Sequence, residues 1–74
     1  MGKATRVTND IRRLRFAHDE MTQADLGDRV GVTRQTIIAI EQGKYSPSLE
    51  IAFQIARAFN VRLDEVFQYP DERE

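Results

Sequence analysis

The residues that most constrain this fold are the threonines and glycines that divide positions 22–43 into two short segments. Thr22 and Thr33 each precede a segment with apolar side chains at helical spacing. A threonine hydroxyl in that place can accept a free amide of the first helical turn. Gly31 and Gly43 follow the two segments, where a helix commonly ends on a left-handed residue. The pattern predicts two short helices joined by a tight turn at Gly31.

On the second of these helices, Ile37 and Ile40 form an inward face with Glu41 on its flank. A helix-turn-helix consists of these parts in this order: cap, helix, glycine turn, cap and helix. Its second helix enters the DNA major groove. Arginine pairs bidentately with guanine and glutamine with adenine, and apolar groups contact the thymine methyl. An ordinary solvated face is the alternative, and an outward isoleucine argues against it. We therefore predict base reading by the outward face and its flank: Arg34, Gln35, Ile38 and Ala39.

Four stretches are distinctive when taken together: Thr-Gln at 22–23, VGVTRQTI at 30–37, IEQGKYSPSL at 40–49 and IAxxFxV at 55–61. Over roughly residues 11 to 67, the chain resembles the Cro/C1-type helix-turn-helix regulators, also called the xenobiotic-response-element family. The family implies an all-α, five-helix, lambda-repressor-like domain with a small terminal antiparallel β appendage. It also implies a DNA-binding transcriptional regulator.

The resemblance implies roles for side chains around the motif. Gln23 matches a glutamine that contacts a DNA phosphate and braces the second motif helix. Lys44 and Tyr45 lie in the loop after that helix, where they either hold the sugar-phosphate backbone or simply form a polar turn. The predicted phosphate-binding residues are Gln23, Thr33, Thr36, Gln42, Lys44 and Tyr45.

An ion pair between Arg15 and Glu41 is also implied by the resemblance, and its role would be to fix the orientation of the second motif helix. The turn before Met21 looks one residue longer than in the family, so that Arg15 could instead be a surface residue. At the start of the first helix, Thr8 or Asn9 is the expected cap.

The remaining segments predict the rest of the domain. After Ser48, a fourth helix has a core stripe at helical spacing, formed by Leu49, Ala52, Ile55, Ala56 and Phe59. Residues 67–69 alternate like a short strand, which can pair antiparallel with residues 6–8. The chain is expected to divide into an arm or strand at 1–8, a DNA-binding domain at 9–67, and a strand end with a frayed tail at 68–74.

A homodimer is expected because one short helix reads too few base pairs to select an operator from a genome. A two-fold dimer reads two half-sites about 34 Å apart and gains the affinity of both. Short relatives in the family dimerise through a terminal sheet, which implies an interface of spare apolar side chains opposite the recognition helices. The predicted interface residues are Phe53, Val66, Phe67 and Tyr69.

Composition limits the other function classes. A chain of 74 residues with one histidine and no cysteine predicts one small domain without a metal or cofactor. The sequence shows no nucleophile–base pair, carboxylate dyad or phosphate-binding glycine loop, so no enzyme is expected. No apolar run approaches the roughly 20 residues of a membrane span, which predicts a cytoplasmic protein. No small-molecule effector is evident.

The net charge of −1 is unusual for a DNA binder, but basic residues concentrate in positions 1–15 and acidic ones in positions 62–74. Two functions fit the sequence. The first is a sequence-specific transcriptional regulator, foremost a repressor that binds a palindromic operator as a homodimer. The alternative is an antitoxin-type or partner-binding module that autoregulates its operon, which an added arm for a partner would distinguish.

Overall fold

The computed structural model describes residues 5–70 and places five helices and a two-stranded antiparallel sheet there. In chain order these are β1 (Thr8–Asn9), α1 (Ile11–Ala17), α2 (Gln23–Val30), α3 (Arg34–Glu41), α4 (Leu49–Phe59), α5 (Leu63–Val66) and β2 (Phe67–Gln68). The predicted fold, an all-α five-helix domain with a small terminal β appendage, is confirmed. None of the helices within residues 5–70 has the length and hydropathy of a membrane span.

The motif helices begin and end where the threonines and glycines predict. The Thr22 hydroxyl accepts the amide of Asp25 at 2.9 Å, and the Thr33 hydroxyl accepts the amide of Thr36 at 3.1 Å. Gly31 ends α2 in the left-handed region with φ of 78°. These contacts join residues within one helical turn, which is why the local sequence is sufficient to specify them.

Gly27 lets the turn between the motif helices fold back against α2. A Cβ atom at this position would lie 2.7 Å from the backbone oxygen of Val32. The Val32 amide donates to the Gly27 carbonyl at 2.9 Å, so the two backbones are in direct contact. Only glycine leaves room for that approach.

The core forms where the five helices meet. Its buried side chains come from every helix and from the turn before α2: Ile11, Leu14, Met21, Leu26, Val30, Ile37, Ile40, Ile55, Ala56, Phe59 and Val66. Leu49 is not among them, and its predicted place in the core stripe of α4 is wrong. It is 72% exposed because it is the first residue of α4, at the rim of the stripe, beyond the cover of the neighbouring helices.

The β appendage pairs one residue later along β1 than predicted. Thr8 lies opposite Gln68 and Asn9 opposite Phe67, and the Asp10 amide continues the pairing by donating to the Val66 carbonyl at 2.9 Å. The strand therefore extends to the start of α1, and Asp10 occupies the cap position without a side-chain cap bond. Asn9, one of the two expected caps, acts from the preceding position, where its Oδ1 accepts the Ile11 amide at 3.1 Å.

Candidate nucleic-acid interface

Helix α3 has a buried face and an open face. Ile37 and Ile40 are buried in the core, which fixes the helix against the rest of the domain. Arg34 and Gln35 are exposed in its first turn, while Ile38 and Ala39 are half-buried one turn later. The four predicted base-reading residues thus differ in exposure: the two polar ones project fully from the helix and the two apolar ones only in part.

A hydrogen-bonded network of three side chains anchors the far end of α3. The Arg15 Nε donates to Glu41 Oε2 at 2.7 Å and its Nη2 to Oε1 at 3.3 Å, a two-pronged ion pair. The Gln23 amide donates to the same Oε1 at 3.2 Å. Arg15 is only 8% exposed, and Glu41 is shielded to a similar degree. The network joins α1, the start of α2 and the end of α3, which favours one orientation of α3.

The turn between α1 and α2 explains how Arg15 reaches Glu41 despite the extra residue before Met21. Asp19 and Glu20 both take left-handed backbone angles, with φ of 57° and 55°, so the turn coils tightly. The Met21 amide donates to the Arg15 carbonyl at 2.9 Å. In return, Nη1 of Arg15 donates to the Met21 carbonyl at 2.9 Å. The structure therefore places Arg15 in the interior and not on the surface.

The predicted phosphate-binding residues lie in three different settings. Gln23 and Gln42 line one open cleft together with Arg34. The Thr33 and Thr36 hydroxyls are 3.0 Å apart at the start of α3, where Thr33 serves as the cap. Lys44 and Tyr45 are exposed in the loop after α3, outside the lining of that cleft. Of the six residues, Gln23 also has its amide engaged by Glu41.

Asn9 is a further residue that positions α3, and no pattern in the sequence indicates this role. Its Nδ2 donates to the Ile40 carbonyl at 3.0 Å, in the last turn of the helix. The partners are far apart in sequence and belong to no shared motif, so only the folded chain shows the contact. Asn9 also lies in β1, so that one residue links the β appendage to α3.

The model of the helix-turn-helix family matches residues 11–66 of this chain. The chain belongs to the helix-turn-helix family. Three similar proteins carry the name of uncharacterized HTH-type transcriptional regulator. One from Methanocaldococcus jannaschii is 50% identical over 66 residues, which cover 89% of this chain and 98% of that relative.

The second relative, from Archaeoglobus fulgidus, is 52% identical over 62 residues, covering 84% of this chain and 87% of its own length. The third, YgzD of Bacillus subtilis, is 45% identical over 66 residues, covering 89% and 98%. These matches confirm the resemblance to short Cro/C1-type regulators, and with it the general function of a DNA-binding transcriptional regulator.

The side chains predicted for a dimer interface of this helix-turn-helix regulator are not all at its surface. Val66 is fully buried, and its predicted place in the interface is wrong because its side chain packs within the core of the domain. Phe67 is partly buried against the core. Phe53 and Tyr69 are 50% and 63% exposed.

Exposed Leu49 stands one helical turn from Phe53, so α4 presents both on one side. A groove of about 500 Å³ continues from Leu49 to the β appendage and is lined by Leu63, Phe67 and Tyr69. We refer to these side chains as the apolar patch: Leu49, Phe53, Leu63, Phe67 and Tyr69.

Proposed function

We propose that this helix-turn-helix regulator is a repressor that binds a palindromic operator as a homodimer, with α3 in the major groove. The observation that carries the proposal is the combination of an anchored helix and an open face. Ile37, Ile40 and the Arg15–Glu41 pair hold α3 in place, and Arg34 and Gln35 project from its first turn. A recognition helix contacts base edges mainly with its N-terminal residues, and these two lie there.

Direct readout gives each exposed residue a distinct role. Arg34 is suited to a bidentate contact with guanine and Gln35 to one with adenine, each contributing about 1–3 kcal/mol of discrimination against other bases. Ile38 and Ala39, half-buried behind them, present apolar groups that suit a thymine methyl. Together the four residues read a short half-site.

Phosphate contacts on both sides of α3 would set its register in the groove. We assign them to the start of α2, to the cap and first turn of α3, and to the residues just after α3: Gln23, Thr33, Thr36, Gln42, Lys44 and Tyr45. Lys44 is exposed, and no carboxylate of residues 5–70 lies within ion-pair distance of it. Contacts of this kind add affinity that depends on salt and carry no sequence information.

The dimer is supported by the apolar patch. Leu49, Phe53 and Tyr69 are each at least half exposed, and the groove beside them is mostly apolar. Large contiguous apolar surfaces on small domains commonly mark protein interfaces. A second copy of the chain would cover the patch of the first, and the pair would read two half-sites one helical turn apart. Because the proposed partner is chromosomal DNA, we place the protein in the cytoplasm.

Repression follows from occupancy in this proposal. A dimer that covers two half-sites near a promoter excludes polymerase from the same DNA, and this needs nothing beyond DNA binding and dimerisation. A reporter gene placed behind the selected operator should therefore fall in expression when the protein is produced. A rise in expression would contradict repression and leave the base-reading assignment intact.

The experiment for base reading begins with selection of genomic fragments on the purified protein, followed by sequencing to define the operator. Fluorescence anisotropy on operator and scrambled duplexes then compares wild type, Arg34→Ala and a control, Arg57→Ala, which removes an exposed helical arginine on α4. We expect Arg34→Ala to weaken operator binding by about 1–3 kcal/mol and to relax specificity at one position. Equal losses on both duplexes would contradict base reading by Arg34.

A further inference from the structure

A cleft of about 1110 Å³ opens between α1, the start of α2 and α3, and it carries charges that the base-reading proposal does not use. Its α1 wall contains Arg12 and Phe16, and its α3 wall contains Arg34. Gln23 lies at the start of α2 between these walls, and Glu20 stands in the turn before it. The cleft thus places Arg34, a predicted base-reading residue, and the exposed side of α1 along one surface.

The charges in this cleft are only partly compensated. Arg15 is paired with Glu41, and Arg13 lies 3.5 Å from the Asp10 carboxylate. No carboxylate of residues 5–70 lies within ion-pair distance of Arg12 or Arg34. Two guanidinium groups therefore face the cleft with their hydrogen-bonding capacity available to an anion.

Phe16 gives the α1 wall an apolar centre. The side chain is 54% exposed, although it lies in a cleft whose other walls are largely polar. The guanidinium carbons of Arg12 and Arg15 each lie 5.7 Å from its ring centroid. At this separation the ring attracts the cations weakly, so Phe16 favours a position of Arg12 beside the ring before any ligand binds. A preorganised cation loses less conformational entropy when it contacts a phosphate.

We propose that this cleft seats the sugar-phosphate backbone of one DNA strand beside the bases that α3 reads. Arg12 contacts a phosphate, and the Phe16 ring packs against a deoxyribose. A DNA strand presents anionic phosphate beside apolar sugar, and the α1 wall presents the guanidinium of Arg12 beside the phenyl ring of Phe16. The inference rests on the proposed function and adds two residues of α1 to the DNA interface.

The charge of Glu20 opposes this contact, so its removal should strengthen DNA binding, whereas the removal of Arg12 should weaken it. Glu20 lines the cleft, and its negative charge there would repel a phosphate. Glu20→Gln keeps the shape of the side chain and removes the charge. We expect this variant to bind DNA about two- to threefold more tightly at low salt, because one repulsive charge is gone.

The decisive experiment is fluorescence anisotropy of the full chain on two labelled duplexes of about two helical turns, one carrying the selected operator and one of mixed sequence. Each is titrated between about 50 and 200 mM salt. Arg12→Ala should weaken both duplexes alike by about tenfold and reduce the salt slope by about one. Phe16→Ala should weaken both several-fold with the salt slope close to that of Arg57→Ala, the matched control outside the cleft.

Circular dichroism of each variant checks that the exposed substitutions leave the fold intact. If Arg12→Ala binds like Arg57→Ala, or if Glu20→Gln does not tighten binding, the cleft does not seat the backbone. Loss of operator specificity by Arg34→Ala in the same series would then show that base reading survives. A lowered salt slope for Arg12→Ala would support the cleft as a backbone site. If Arg34→Ala in the same series loses the same affinity for the operator as for the scrambled duplex, base reading is overturned.

Discussion

At the anchored end of α3 the shielded polar side chains satisfy one another, whereas on the apolar patch large hydrophobic side chains face solvent. The Arg15–Glu41–Gln23 network is shielded and fully paired, and no buried side-chain nitrogen or oxygen among residues 5–70 lacks a partner. On the patch, Leu49 and Tyr69 are largely exposed. The polar side chains that hold α3 are therefore satisfied within one chain, whereas the patch is left uncovered.

This difference separates two tasks within a small domain. Orientation of α3 depends on contacts within the chain, so a single copy should present the recognition helix correctly. In the proposed dimer, affinity for two half-sites depends on a surface that one chain leaves uncovered. Variants on the two sides should therefore fail in different ways.

The largest effect on stability is expected from the ion pair that holds α3. Glu41→Ala would leave Arg15 buried without its carboxylate, which costs about 3–5 kcal/mol of unfolding free energy when one partner of a buried pair is removed. Urea denaturation measures this loss, and Asp28→Ala, an exposed acid on α2, is the matched control. The double variant Arg15→Met, Glu41→Ala should regain part of the unfolding free energy that Glu41→Ala loses. Strict additivity would show that the pair does not hold α3.

For substitutions on the patch, we expect a smaller effect on folding and a clear effect on dimerisation. Leu49→Glu and Tyr69→Glu place charges where the proposed second copy would pack, and should weaken dimerisation by at least about tenfold. Both side chains are exposed in one chain, so the fold should persist. Sedimentation velocity at micromolar concentration measures the change, with Tyr45→Glu, an exposed tyrosine outside the patch, as control. A fully dimeric double variant would place the interface elsewhere.

The smallest effect is expected at Asn9, which connects the two sides. Asn9→Ala removes one bond to the Ile40 carbonyl and one from the Ile11 amide, a loss of about 1–2 kcal/mol in total. Thr8→Ala removes a weaker and more exposed contact to Gln68 and should cost less. Thermal unfolding compares the two variants. If Thr8→Ala is the more damaging, the strand pairing matters more than the link to α3.

The parts of the fold that depend on near neighbours in sequence were predictable. The Thr22 and Thr33 caps, the Gly31 turn and the buried Ile37 and Ile40 each follow from spacing within one or two helical turns. The resemblance to a family, and not local spacing, suggested Arg15 and Glu41 as partners.

The parts that depend on tertiary cover were not predictable. Leu49 and Val66 are both apolar residues at helix ends, and the first is exposed while the second is buried. The sequence pattern around each residue is compatible with either outcome, because burial depends on how the distant segments of the chain pack. The Asn9 contact with α3 likewise spans distant segments and leaves no trace in a local pattern.

The central claim, that one chain reads a half-site and the patch brings in the second copy, can be tested by anisotropy on two duplexes. One carries the full selected operator and the other a single half-site. We expect the Leu49→Glu, Tyr69→Glu variant to match wild type on the half-site and to lose the additional affinity that wild type gains on the full operator. A variant that keeps the full-operator advantage, or that also loses the half-site, would contradict the account.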